Sequence, residues 1–307
     1  MTPESFIAVS VDGELSGRAD EEETFYQLSQ TFTYDYDAPV RELRHRLMVV
    51  PRAVHGGQRR LEHGVTVSGS PALVSVASDE FGNHVVDVRA TTVAETICFE
   101  VWARVRRSGP GGVTTLPPSS IGDGRLLAPT PLTEADAVLA DAAADLVSSV
   151  RSLVGPSPRP GPLVGGLEVA ERACAWAHRA LTYTYDVTDV RTSAAEAVAG
   201  GRGVCQDFAH LMIALCRAAG LPARYVSGHL VGEGGSHAWV EVMVPDSTRP
   251  ECTVAVAFDP THDRRAGQGY LTVAVGRDYP DVAPTSGTFE GRGPGSLTTR
   301  KRLVAMS

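Results

Sequence analysis

Between Phe25 and Arg107 the chain runs through short stretches that alternate apolar and polar residues, and no stretch there keeps a helical period. "FYQLSQTFTYDYD", "LRHRLMVVP", "HGVTVSG", "ALVSVAS", "HVVDVRA" and "ICFEVWARVR" follow one another with turn-forming residues between them. Alternation gives a strand two different faces, and short strands joined by turns settle as antiparallel sheets. "FGN" before His84 fits a hairpin turn, because Gly82 and Asn83 tolerate positive φ. The expectation is a β-sandwich over residues 25–107, built from roughly six strands. His45, His55, His63 and His84 are scattered through it at no ligand spacing, so nothing in this half looks catalytic. Residues 1–24 are acidic and aperiodic and read as a loose N-terminal extension.

The pattern changes after "SGPGGVTTLPPSSIGDGR", whose Gly, Pro and Ser content marks residues 108–128 as a linker. Leu139, Ala142, Leu146, Val150 and Leu153 then form a helical stripe, which "GPSPRPGP" breaks. Leu167, Ala170, Cys174, Ala177 and Leu181 make a second stripe, placing Cys174 in a core. "SAAE" is a capping box that starts a short helix at Ser193. Another helix follows Gly203, with Val204, Phe208, Leu211, Met212 and Leu215 on its apolar face, and stops at Gly220 before Pro222. Three strand-like runs complete the pattern, "ARYVSGHL", "HAWVEVMV" and "TVAVAFD". Residues 129–307 therefore read as an α+β domain.

Cys205 opens the helix after Gly203, and there the helix dipole favours thiolate over thiol. Most free cysteines are small core residues, so the nucleophilic alternative needs a base and a group to orient it. "GGSHAWVEV" offers His237 at the mouth of a strand, and "AVAFDPT" offers Asp259 at the end of the next. An antiparallel hairpin centred on residue 248 would set these two directly opposite, within reach of an imidazole–carboxylate hydrogen bond. Asn83 is the sole asparagine and belongs to the hairpin turn of the other domain, so a carboxylate rather than an amide is left to orient the histidine.

"GRGVCQDFAHLMIALCRAAGLPARYVSG", "SHAWVEV" and "FDPT" resemble the Cys, His and Asp blocks of the bacterial transglutaminase-like superfamily. "FTYDYDAPV" and "DEFGNHVVDV" resemble the β-rich region that precedes those domains, and "VAVGRDYPDVAPTSGTFEG" their downstream segment. The resemblance implies a papain-like core with the thiol on a helix N-terminus and His and Asp on adjacent strands. It implies thioester chemistry on a carboxamide of a protein or peptide, released to water or to an amine. Cys205, His237 and Asp259 take the roles of nucleophile, base and orienting group. The backbone N–H of Cys205 is one oxyanion donor, with Tyr183 or Tyr185 of "LTYTYD" a candidate for the second. Trp239 either walls the cleft or packs. His229 stands where relatives commonly carry an aromatic residue, which bears on the substrate pocket. Hydrolysis is favoured, because no residue pattern marks an amine site. A true amine-accepting transglutaminase, and a binding module that has kept the fold without turnover, are the alternatives.

Composition narrows the partners. A formal charge of −8 over 307 residues argues against a nucleic-acid or anionic-membrane surface. No HExxH, paired Cys/His spacing or phosphate loop is present, so neither a metal nor another cofactor is expected. Lys301 is the sole lysine, and the wealth of Ala, Gly, Val and Arg fits a GC-rich bacterial coding sequence. Five cysteines without a CxxC pair, and an N-terminus without an apolar core, suggest a reducing, cytoplasmic setting.

Overall fold

The computed structural model describes residues 23–109, 111–154, 165–249, 251–292 and 295–306. The extension expected over residues 1–24 and the break at 155–162 lie almost wholly outside them. Two antiparallel sheets form the N-terminal sandwich. One has the order Gly295–Met306, Thr24–Tyr36, Thr96–Arg107, Gln58–Ser68, Val54–His55. The other runs Thr285–Glu290, Val40–Leu47, His84–Val93, Leu73–Ser78. Phe32, Leu43, Leu47, Val86, Val88, Ile97 and Phe99 meet between them, supplied by the inward halves of the alternating runs. Gly82 takes φ +73° in the turn ahead of His84, as the hairpin requires.

The α+β domain holds a sheet of its own with the order Arg264–Arg265, Thr253–Asp259, His237–Pro245, Ala223–Leu230, Tyr270–Gly276. Its central strands are buried on both faces, which is why they read as nearly continuous apolar runs. The helices Ala137–Val154, Gly166–Ala180, Ala194–Gly200 and Cys205–Ala218 join one core with Val240, Val242, Val244 and Phe258. Ser193 caps its helix through the expected reciprocal bonds with Glu196. The Cys205 helix is not amphipathic as its pattern suggests. Gln206 through Arg217 are all buried, and Arg217 reaches the carbonyls of Leu126, Ala223 and Arg277.

Two parts of the chain cross the expected boundaries. Val113–Leu116, in the linker, pairs antiparallel with Thr253–Val256 and adds a strand to the sheet of the α+β domain. The C-terminal strands, expected within the 129–307 domain, return to the sandwich, where they pair with Thr24–Tyr36 and Val40–Leu47. A non-local pairing of this kind leaves no local pattern.

Side chains of the N-terminal region also satisfy the backbone of the edge strand Tyr270–Gly276. Gln58 Nε2 donates to the Thr272 carbonyl (2.8 Å) and Gln58 Oε1 accepts from the Thr272 N–H (2.9 Å). Asn83 makes the same reciprocal pair with Val275. A buried ion cluster reinforces the join: His55 Nε2 lies 2.6 Å and Arg224 Nε 2.7 Å from the two oxygens of Glu241. Burial alone would raise the Glu241 carboxyl, but His55 and Arg224 hold it well below the usual range. Glu241→Gln strands the buried Arg224 guanidinium and is expected to cost about 3–5 kcal/mol, read by chemical denaturation. The depressed carboxyl stabilises the fold above the ordinary glutamate pKa, and that contribution is lost as pH falls through the folded value. The difference between wild type and variant should therefore shrink in acid; a gap unchanged at low pH would refute this account.

Candidate active site

The Cys205 helix begins against a tight turn. Asp207 Oδ2 accepts the Val204 N–H at 2.8 Å and the Thr188 hydroxyl at 2.7 Å, capping the helix start from within. A Cβ at Gly203 would stand 2.6 Å from that carboxylate oxygen, so only glycine lets the cap close. Asp207 thus does more than complement the dipole: it fixes the backbone that presents Cys205. Cys205 is partly exposed, whereas Cys174 and Cys216 are buried. Burial pushes the Cys216 thiol up to about 12.

His237 opens its strand beside this helix start. Its Nε2 is 2.8 Å from Asp259 Oδ2, and its Nδ1 lies 3.3 Å from Glu233 Oε2. Burial alone would lower the His237 pKa. The bonds to Asp259 and Cys205, with their charges, outweigh that and raise it to about 10. Asp259 is sealed from solvent; burial would raise its carboxyl, but its hydrogen bonds and the His237 charge hold it well below the usual range. The strands pair Val240 with Phe258, whereas the expected register puts Val256 there. His237 and Asp259 are consequently diagonal rather than directly opposed. A slip of two keeps each side chain on its face, so the contact survives.

Three residues of the site gave little sequence signal. Asp259 Oδ2 also accepts from the Tyr270 hydroxyl (2.6 Å) and lies 2.7 Å from His262 Nδ1. Glu233, on the glycine-rich loop before His237, lies 3.3 Å from His237 Nδ1 and, through its other oxygen, 3.3 Å from His262 Nε2. "FDPTHD" does carry His262 three residues after Asp259, but "GEGG" reads only as a turn.

The other expected site residues divide. Tyr183 pairs with Gly203 in a short parallel ladder and stacks on Phe208 (6.2 Å, 26°), so it lies beside Cys205. Tyr185 packs edge-on against Tyr183 (5.2 Å) and is 66% exposed. Trp239 does not wall an open cleft: it is 1% exposed, stacked behind His237 and against Tyr270. His229 is buried and bonded to the Gly235 carbonyl (3.2 Å), so it braces the Glu233 loop instead of facing substrate. Burial lowers its pKa to about 4, which keeps it neutral.

A thiol at a helix start, set against a histidine and a carboxylate on adjoining strands behind a β-rich N-terminal region, is the arrangement of a papain-like cysteine enzyme. Residues 26–106 match the bacterial transglutaminase-like N-terminal region, and residues 161–249, which include Cys205 and His237, match the transglutaminase-like superfamily core. The chain belongs to the bacterial transglutaminase-like superfamily. An uncharacterized protein of Mycobacterium bovis is 31% identical over 280 residues, covering 85% of this chain and 86% of that one. One from Mycobacterium leprae is 42% identical over 135 residues, 41% of this chain; the match spans 46% of that protein's length. Among solved structures, a "Putative Cysteine Protease" from Cytophaga hutchinsonii superposes with a TM-score of 0.67 at 21% identity, over 93% of this chain and 92% of that chain. That likeness establishes the fold.

The cytoplasmic expectation is overturned and dropped. Similar solved structures include the periplasmic domain of TgpA from Pseudomonas aeruginosa, at 16% identity and a TM-score of 0.34, over 86% of this chain and 95% of that chain. Unpaired thiols do not by themselves fix a compartment. No helix among the described residues is long and apolar enough to cross a membrane.

Proposed function

We propose that the protein is a cysteine-dependent acyl-transfer enzyme that hydrolyses a peptide, isopeptide or glutamine-like amide through a thioester. The observation that carries this is His237, bonded through Nε2 to buried Asp259, with Cys205 among the groups that raise its pKa and partly exposed at a helix start. Cys205 Sγ adds to the carbonyl carbon, and its proton resides on His237 Nδ1. The carbonyl oxygen becomes an oxyanion, received by the Cys205 backbone N–H and the Tyr183 hydroxyl. Nδ1 then protonates the leaving nitrogen as the C–N bond breaks, giving a thioester. Water, deprotonated by the same nitrogen, adds to the thioester and expels the thiolate. Asp259 keeps Nε2 protonated throughout, so that Nδ1 is always the nitrogen presented to the thiol.

Exposed Tyr183 and Tyr185 leave the site open to water, which supports hydrolysis over transfer. Two measurements test the proposal. Iodoacetamide near neutral pH should alkylate Cys205 well ahead of Cys98, Cys174, Cys216 and Cys252; equal slow labelling of all five would favour a binding module. A panel of amide probes with a labelled primary amine should release acid, and amine incorporation faster than hydrolysis would make the protein a transglutaminase instead.

A further inference from the structure

Leu73–Ser78 is the edge strand of its sheet: it pairs with His84–Val93 on one side, and no strand among the described residues lies on the other. All six of its residues are exposed, and none carries a charge. The other sheet edges are blunted in ways that discourage pairing. Gly295–Met306 carries Arg300, Lys301 and Arg302, and Arg264–Arg265 is only two residues long. Thr285–Glu290 and Gln58–Ser68 are each interrupted by a register shift. Tyr270–Gly276 already has Gln58 and Asn83 bonded to its backbone. Val74 and Val76 point to the same face as their partners Val88 and Val86, which lie in the sandwich core. Yet they are 48% and 60% exposed, so the apolar face of the sheet runs out to an open side. The strand also has a basic end and an acidic end. Leu73 pairs with Arg89, which pairs with Arg44, whereas Asp79 and Glu80 follow Ser78.

We propose that Leu73–Ser78 pairs antiparallel with the same strand of a second copy of the chain, about a two-fold axis at Ser75. The pairing joins the two four-stranded sheets into one continuous sheet. An axis normal to the sheet keeps each face on its own side, so residues whose numbers share parity stand opposite each other. Ser75 then faces Ser75 of the partner subunit, and Val74 faces the partner's Val76. Centring on Ser75 sets valine against valine on the inner face, and the row that Val88 and Val74 begin continues into the second copy. Centring on Val76 would set Val74 against a serine. The antiparallel direction lays the end that carries Arg44 and Arg89 beside the partner's acidic end, where a parallel neighbour would bring like charges together. In this register the strand is its own complement in apolar contacts and in charge. That self-complementarity is what identifies a second copy as the occupant.

Sedimentation equilibrium of the full chain over roughly 1–100 μM should show a reversible monomer–dimer equilibrium. Ser75→Lys sets two like charges opposite each other at the axis and should weaken the dimer by about fivefold or more, as should Ser75→Glu. An equimolar mixture of the two variants should recover the dimer as a heterodimer, which also shows that both are folded. Under mild oxidation Ser75→Cys should cross-link into a covalent dimer that the wild type does not form. Ser78→Cys, set about 20 Å from its own copy in this register, should not. A wild type that stays monomeric throughout would overturn the proposal and leave the edge to a strand of another protein. Dimerisation unchanged by Ser75→Lys would overturn it too, as would a mixture that recovers nothing, or Ser78→Cys cross-linking as readily as Ser75→Cys.

Discussion

Cys205→Ala is expected to lower amide turnover by at least roughly 10⁴-fold, to the background set by the oxyanion donors and binding alone. Its unfolding transition should be unchanged. Alanine is the best helix former, and the partly exposed thiol leaves no closed cavity when it is removed. The cap that fixes the helix start runs through Asp207 and Val204 and does not involve the sulfur. Cys216→Ala supplies the mirror image. Cys216 is fully buried about three turns along the same helix, so its loss should cost about 1–2 kcal/mol of stability and leave turnover near wild type. The pair of variants separates chemistry from packing on one element. Measurable turnover by purified Cys205→Ala would end the thioester mechanism.

How much of this was legible in the sequence depended on whether the signal was local. Gly203 ahead of Cys205, the stop at Gly220 and the capping box at Ser193 act within a turn or two, and the helix boundaries follow them. Period-two alternation likewise places His237 and Asp259 at strand ends. Their exact opposition was misjudged, because the loop between the strands sets the register and its geometry is not written in the alternation. The contact survived because side chains repeat every two residues. Tyr270 was invisible for a different reason. Its strand lies beside Ala223–Leu230, with two strands between it and the strand of Asp259, and the ring, packed edge-on against Trp239, brings the hydroxyl to the carboxylate. The return of residues 285–306 to the sandwich is non-local in the same way. Composition misled about Gln206–Arg217, where polar side chains are enclosed and bonded instead of facing solvent. It misled about compartment as well.

Asp259→Asn is expected to cost roughly 10²–10⁴-fold in kcat/KM and to move the alkaline limb of the pH profile downward. Burial alone would lower the His237 pKa; the bonds and charges of Asp259 and Cys205 raise it to about 10 in the wild type. The imidazolium should therefore persist until pH rises through about 10, where activity falls. Asparagine keeps an acceptor for one of the donors that Asp259 Oδ2 now serves, from His237, His262 and Tyr270, but removes the charge. With that charge gone, the imidazolium loses support and the alkaline limb should move toward the ordinary histidine value near 6.5. Stability follows the same sign. A histidine raised in the folded state contributes stabilisation that is full below its unfolded pKa and disappears as pH rises through the folded value. A depressed aspartate contributes above its ordinary pKa and loses that contribution as pH falls. Wild type and Asp259→Asn should therefore differ most in stability between the two limits, around neutral pH, and converge in strong acid and strong base. Tyr270→Phe is the graded control: it removes one donor from Asp259 and keeps the charge, so its alkaline limb should stay close to wild type. An Asp259→Asn profile whose alkaline limb coincides with the wild-type limb would show that the carboxylate does not set the protonation of His237, and the role assigned to it would fall.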